Sequence, residues 1–178
     1  MALNPRNHAL GFAERTRKNL LYIESARQAG ADVHEVTQLG TPLLGLVVFP
    51  KERKLDACIE NLDWAKLCAD GWPQWQFVLG GCNTLGELVG HLRNAAAHGH
   101  VTFSSDDPDL SRVTIEVEDY KRGSSTPYWR ATISGRGLRE FCLKFIKSPQ
   151  DTPQLAEGRN ASFSGLFFHE DAPQLAGG

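Results

Sequence analysis

Three side chains near the middle of the chain have the types and spacing to act on a phosphate ester. Arg93 and Asn94 are adjacent, and three alanines separate Asn94 from His98. On a helix, Asn94 and His98 share a face, while Arg93 lies about 100° round the axis, within reach because its side chain is long. A guanidinium, an amide and an imidazole suit phosphodiester cleavage without a metal. Histidine would move protons, and arginine would stabilise the charge of the transition state.

Two interpretations of this motif remain open from spacing alone. An arginine and a histidine in the last turn of a helix also interact favourably with the helix dipole, with no further role. If the residues do form a site, one copy supplies a single imidazole, which is sparse for an acid and a base. A two-fold dimer that places two copies face to face would supply two histidines and two arginines.

The element that carries the motif is predicted to be a buried helix. Thr84 and Glu87 have the spacing of a capping box at its start, and Gly99 is a natural stop after His98. Helical spacing puts apolar residues on one face, namely Leu85, Leu88, Val89, Leu92 and Ala96. His91 lies away from the Leu88 side, and we expect it to be solvated.

Helices are predicted over much of the remaining chain. One covers residues 9–29, and a second, apolar nearly all round, covers 32–50 with a kink at Pro42. A third, more exposed helix is expected over 51–69, followed by a packed loop from Gly71 to Cys82. A last helix is expected over about 135–148, capped by Ser134.

The hydrophobic period changes to two between these helices. Alternation of apolar and polar residues predicts strands at 101–103, 113–118 and 128–133, with a turn at 122–125. These segments form a two- or three-stranded antiparallel sheet. A lone hairpin is marginally stable in water, so it must pack on the helices or on another chain.

Basic residues follow a group of acids in this region. One candidate RNA-binding residue, His100, lies two residues after His98 and could extend that site. The other candidates are Lys121, Arg122 and Arg130 on the hairpin. Together with Arg136, Arg139, Lys144 and Lys147 of the last helix, they could form a patch that holds RNA phosphates. The alternative is an ordinary solvated surface.

The composition limits the classes of protein that fit. The chain has 178 residues, 41% of them hydrophobic, and a net charge of −2, which suits one globular domain and argues against a protein that coats nucleic acid. We predict a domain over 1–148 and a largely disordered tail over 149–178. The four cysteines lack metal-ligand spacing, so we expect reduced thiols, no metal, no cofactor and a cytoplasmic location away from membranes.

The stretch Arg93–His98 resembles the R-x4–6-H motif of the HEPN superfamily (higher eukaryotes and prokaryotes nucleotide-binding). Two more blocks resemble the plasmid-type bacterial branch of that superfamily. One is Glu35–Leu39 leading to Leu46–Pro50, and the other is Thr84–His98 followed by the hairpin. The resemblance covers roughly residues 10–148. It implies a mainly α fold, a HEPN-like up-and-down helical bundle, here with an antiparallel β-hairpin at about 101–133 before the last helix.

The resemblance also implies a function and an assembly. Many members of the superfamily resemble metal-independent ribonucleases that act as toxins or defence proteins, usually as dimers with the motif at the subunit cleft. On that basis we expect a homodimeric endoribonuclease in which Arg93 and His98 are catalytic and Asn94 supports them. RNA would be its substrate, and an antitoxin or other protein a possible partner. The alternative is a non-catalytic HEPN module that binds RNA, a nucleotide or a protein.

Overall fold

The chain combines helices with a β-sheet. The structure, a computed structural model, describes residues 5–33, 59–105, 107 and 109–151. Numbered in chain order within these residues, the helices are α1 (Pro5–Gln28), α2 (Trp64–Ala69), α3 (Leu85–His98) and α4 (Gly135–Asp151). The strands are β1 (Gln76–Leu79), β2 (Val101–Phe103), β3 (Thr114–Tyr120) and β4 (Pro127–Ser134).

The four strands form one antiparallel sheet in the order β1-β4-β3-β2. Side chains alternate across β3, so that Ile115 and Val117 are buried while Glu116 and Glu118 are only half-buried. The register pairs Val117 with Ala131 and therefore continues the buried face into β4. One face of the sheet thus contributes to the core, and the opposite face carries polar side chains.

The core lies between that buried face and the helices. α3 contributes Leu85, Leu88 and Leu92, all fully buried, and it packs mainly on β3. α4 adds Leu138 and Phe141, which join the same hydrophobic cluster as the strand residues. α1 packs along α4, where an ion pair joins Glu24 to Arg139.

The predicted fold class, a mainly α bundle with an inserted hairpin, is wrong. The sheet has four strands and supplies one whole side of the core, with Trp129 buried against the helices. A bundle buries helix faces against one another, whereas here α3 buries its apolar face against β3. The arrangement is therefore α+β, with helices packed on an antiparallel sheet.

The segment from Gly71 to Cys82 is also different from the predicted loop. It contains β1, which pairs with β4 at the edge of the sheet, with an irregular register between Phe77 and Leu79. Its residues are mostly exposed and show no alternation of burial, so the sequence has no period to reveal the strand. The strand exists because β4 offers its backbone groups for pairing.

The predicted helix over 51–69 is wrong for much of its described part. Only Trp64–Ala69 is helical, and it begins at Asp63, whose side chain accepts a hydrogen bond from the Lys66 backbone N–H at 2.8 Å. The N-cap starts a new helix at this point. Residues 34–58 lie outside the described residues, as does nearly all of the helix predicted over 32–50, and so does the tail beyond 151.

The other helices and the three predicted strands are confirmed, with small shifts of their ends. α1 extends four residues earlier than predicted, and α4 ends three residues later. Thr84 caps α3 by accepting from the Glu87 N–H at 3.2 Å. The second residue of α3, Gly86, is needed for packing, because a Cβ there would lie 2.6 Å from the Glu60 Cα.

Candidate functional site

The last turn of α3 fixes where the motif ends. Gly99 adopts a left-handed conformation with φ +74°, and the His100 N–H donates to the Ala95 carbonyl at 2.8 Å. This bond and this conformation are those of a Schellman motif, which favours glycine at this position because a side chain would be strained there. The turn brings the ring of exposed His98 to a centroid distance of 6.1 Å from that of His100.

A buried carboxylate lies beside the first residues of the motif. Asp119, on the helix-facing side of β3, is 3% exposed. Its Oδ2 accepts hydrogen bonds from His91 Nδ1 at 2.8 Å, Asn94 Nδ2 at 3.2 Å and the Tyr128 hydroxyl at 2.8 Å. His91 and Asn94 are three residues apart on one face of α3, and Tyr128 comes from β4. We call these four residues the Asp119 hub.

Electrostatics keep the hub carboxylate ionised. Burial by itself raises the pKa of Asp119, but hydrogen bonds from His91, Tyr128 and Asn94 outweigh burial, and the pKa lies below its ordinary value. An ionised carboxylate only accepts hydrogen bonds, so His91 must carry its proton on Nδ1. Partial desolvation of the hydroxyl, followed by the bond to Asp119, raises the pKa of Tyr128 to about 12, and Tyr128 therefore stays protonated as a donor.

The prediction that His91 is solvated is wrong. Its side chain is 18% exposed and pairs with Asp119. The imidazole also stacks on Trp129, with 4.5 Å between ring centroids and 10° between planes. His91 faces the sheet because it lies beside the buried stripe of α3 and because β3 offers a carboxylate at that level.

Arg93 is the cation that the hub reaches through Asn94. A guanidinium NH2 group of Arg93 donates to Asn94 Oδ1 at 3.5 Å, at the outer limit of a hydrogen bond. Within the described chain, no carboxylate lies within ion-pair distance of Arg93, which is half-buried. The structure thus brings Arg93 and Asn94 together, and none of the described acids compensates the positive charge of Arg93.

A second polar cluster occupies the opposite face of the sheet. Glu118 accepts from Arg130 Nε at 2.7 Å and from the Tyr120 hydroxyl at 2.6 Å. The Tyr120 ring packs against His100, with 4.4 Å between centroids. The hydrogen bond from Tyr120 and the charge of Arg130 hold the pKa of Glu118 below its ordinary value. We call these four residues the outer cluster.

The remaining candidate RNA-binding residues lie in the turn between β3 and β4. Lys121 and Arg122 are both exposed, and the Lys121 Nζ lies 5.6 Å from the centroid of the Tyr128 ring. The four candidates are therefore divided. Lys121 and Arg122 follow the end of β3 that carries the hub, whereas His100 and Arg130 belong to the outer cluster.

Sequence reasoning missed Asp119, His91 and Tyr128 as members of the candidate site. One signal was available for Asp119. It continues the inward-facing alternation of Ile115 and Val117, and a carboxylate at such a position requires buried donors. No comparable local signal marks Tyr128, because its link to Asp119 depends on the pairing of β3 with β4.

A pocket at the far ends of β3 and β4 is lined partly by Gln76, Thr114 and Thr132, and none of its described lining residues has an ionisable side chain. No group of three or more His, Cys, Asp or Glu side chains is placed to hold a metal ion in the part of the chain described. Over the same residues, no helix has the length and apolar character needed to cross a bilayer.

Comparisons with known proteins agree with the resemblance of the motif. A family model described as HEPN pEK499 p136 matches residues 1–154, which covers α1 to α4 and the whole sheet. No curated protein and no solved structure matches the chain. The family match includes the helix that carries Arg93, Asn94 and His98. The chain belongs to the HEPN pEK499 p136 family.

Proposed function

We propose that this protein is a metal-independent endoribonuclease of the toxin or defence type, active as a homodimer with Arg93 and His98 at the cleft between subunits. Membership of a HEPN family is compatible with ribonuclease or nucleotide-binding roles. The observation that supports the ribonuclease role is that the charged and ionisable side chains of the motif are available to a ligand. The guanidinium of Arg93 has no acidic partner in the described chain, and the imidazole of His98 is exposed at a helix end.

The chemistry follows from those two groups. His98 would take the proton of a ribose 2′-hydroxyl, whose oxygen attacks the adjacent phosphorus. The bond from phosphorus to the 5′-oxygen then breaks, and an imidazolium gives that oxygen a proton. Arg93 would stabilise the extra negative charge on the phosphoryl oxygens during attack. The products are a 2′,3′-cyclic phosphate and a 5′-hydroxyl.

A dimer supplies what one protomer lacks. Arg93 and His98 are five residues apart on α3, so their Cα atoms are separated by about 7.5 Å along the axis and about 140° round it. One phosphate between them would meet a single motif imidazole, which must serve as both base and acid. Two copies related by a two-fold axis would place a second His98 across the cleft.

The deciding experiment is RNA cleavage in the presence of EDTA. Wild-type protein should cleave RNA and leave 2′,3′-cyclic phosphate ends, and His98→Ala should lower the rate by about 10²- to 10⁴-fold. Arg93→Ala should have a comparable effect. Arg112→Ala is the matched control, because Arg112 is an exposed arginine whose ion pairs among the described residues are with Asp107 and Asp109. Full activity in His98→Ala would overturn the assignment.

The second candidate is a HEPN module that binds RNA, a nucleotide or a protein such as an antitoxin without turnover. The observation that favours it is that each protomer offers one exposed motif imidazole. This candidate predicts that Arg93→Ala weakens RNA binding while wild-type protein leaves the RNA intact. Sedimentation of wild-type protein with and without RNA measures whether the protein is a dimer. The ribonuclease requires a dimer, whereas the binding module does not.

A further inference from the structure

We infer that Asp119 is a positioning residue for Arg93 and acts through the side-chain amide of Asn94. This inference rests on the proposed function, because it assigns Arg93 the task of holding a substrate phosphate. Asp119 lies 25 residues after Asn94 in the sequence, and its Oδ2 accepts from Asn94 Nδ2 at 3.2 Å. Asn94 Oδ1 in turn accepts from Arg93.

Packing alone does not require a carboxylate at this position. Ile115 and Val117 occupy the preceding inward-facing positions of β3 and fill the core with apolar atoms. Replacing buried ionic groups by apolar residues of similar volume is often neutral or stabilising. Since Asp119 is 3% exposed and satisfied by three side chains, its polar character indicates a task other than filling space.

The charge of Asp119 decides which way the Asn94 amide points. An ionised carboxylate can only accept hydrogen bonds, so it must face the NH2 end of the amide. The carbonyl oxygen of Asn94 is then directed to Arg93, whose guanidinium can only donate. With the amide turned over, two donors would face each other at Arg93 and two acceptors at Asp119. The two outer groups therefore select one orientation of the amide between them.

The neutral amide of Asn94 lies between the Asp119 carboxylate and the Arg93 guanidinium, so the carboxylate does not neutralise the charge of Arg93. A direct ion pair between Asp119 and Arg93 would orient the guanidinium but would also neutralise it. Through Asn94, the carboxylate orients the guanidinium while its own charge is shared among the hydrogen bonds from His91, Tyr128 and Asn94. The positive charge of Arg93 remains available for an anionic ligand.

The test compares five variants with wild-type protein. Asp119→Asn keeps the size but removes the ionised acceptor, Asn94→Ala removes the connecting amide, and the double variant removes both. Tyr128→Phe removes a different donor to the same oxygen. Glu116→Gln is the matched control, because Glu116 is a carboxylate of β3 on the face away from α3. Single-turnover RNA cleavage and the side-chain NMR signals of Asn94 and Arg93 are measured for each.

If Asp119 acts through Asn94, the effects of the two single variants will not add. Asp119→Asn and Asn94→Ala should each lower the cleavage rate by about 10- to 100-fold, and the double variant should be no slower than the slower single one. Tyr128→Phe should lower the cleavage rate less than Asn94→Ala does, and Glu116→Gln should cleave at the wild-type rate. Additive losses, or equal losses in Tyr128→Phe and Asn94→Ala, would overturn the inference in favour of a packing role.

The NMR signals separate failure of this inference from failure of the ribonuclease proposal. If wild-type protein does not cleave RNA, the proposed function is wrong, but the signals still report on positioning. Asp119→Asn and Asn94→Ala should shift the Arg93 Nε–H signal similarly, and Asp119→Asn should also speed solvent exchange of the Asn94 side-chain amide. Unchanged Arg93 and Asn94 signals in folded Asp119→Asn would contradict the inference. Asn94→Ala provides the same Arg93 test if Asp119→Asn does not fold.

Discussion

Glu118 and Asp119 are adjacent carboxylates on β3, yet they point to opposite faces of the sheet and have different partners. The Asp119 side chain is 4% exposed and accepts from two residues of α3 and one of β4. The Glu118 side chain is 21% exposed and accepts from Arg130 of β4 and from Tyr120 of its own strand. Asp119 therefore joins a helix to the sheet, whereas Glu118 joins parts of the sheet to each other.

The two carboxylates also differ in how each is connected to an arginine. Glu118 forms an ion pair with Arg130 and neutralises a residue that the sequence predicts to bind RNA. Asp119 is joined to Arg93 through the neutral amide of Asn94, and no acid in the described part of the chain pairs with that arginine. A basic residue whose charge is paired with a local acid is therefore a weaker candidate for binding phosphate than one whose charge is not.

Removing the two carboxylates one at a time should give the largest contrast. Asp119→Ala leaves His91, Asn94 and Tyr128 without their shared acceptor, and we expect it to lower the free energy of unfolding by about 3 kcal/mol. Glu118→Ala breaks a partly exposed ion pair and should lower that free energy by less than about 1 kcal/mol. Urea unfolding at neutral pH measures both. Equal losses of unfolding free energy would mean that the two carboxylates contribute equally to stability.

Acidification should have a smaller effect, to which both carboxylates contribute. The folded-state pKa values of both carboxylates lie below their ordinary values, so each contributes stability above an unfolded pKa of about 4. That contribution is lost as pH falls through the folded pKa. Urea unfolding of wild type between neutral pH and pH 3 should show this loss, and Asp119→Asn should show less of it. If the pH dependence in Asp119→Asn equals that of the wild type, the lowered pKa of Asp119 in the folded protein is contradicted.

The smallest expected effect concerns the salt dependence of RNA binding. Glu118→Gln releases the charge of Arg130 and should raise affinity for single-stranded RNA, with a plot of log K against log salt steeper by about 0.7. Arg130→Gln should change that slope little, because its charge is already paired in the wild type. A 2′-O-methyl RNA oligonucleotide, which lacks the attacking 2′-hydroxyl, prevents cleavage during the titration. A large loss of slope in Arg130→Gln would show that Glu118 does not neutralise it.

Local sequence signals predicted the element that carries the motif. The capping spacing of Thr84 and Glu87 and the glycine after His98 located both ends of α3. Alternation over 113–118 and 128–133 located β3 and β4. Such signals are readable because capping, a left-handed stop and a period of two each involve residues a few positions apart. The boundary predicted at residue 148 stays a prediction.

The sequence by itself thus determined the motif helix, the two long strands and the family resemblance, which the family match confirms. Only the tertiary structure decided the layers of the core, the edge strand β1 and the partners of the motif. His91 and Asp119 are 28 residues apart, and they meet because sheet register and helix packing bring them together. Hydrogen bonds between distant segments leave no local period in the sequence. The side chains that position Arg93 could therefore be identified only from the tertiary structure.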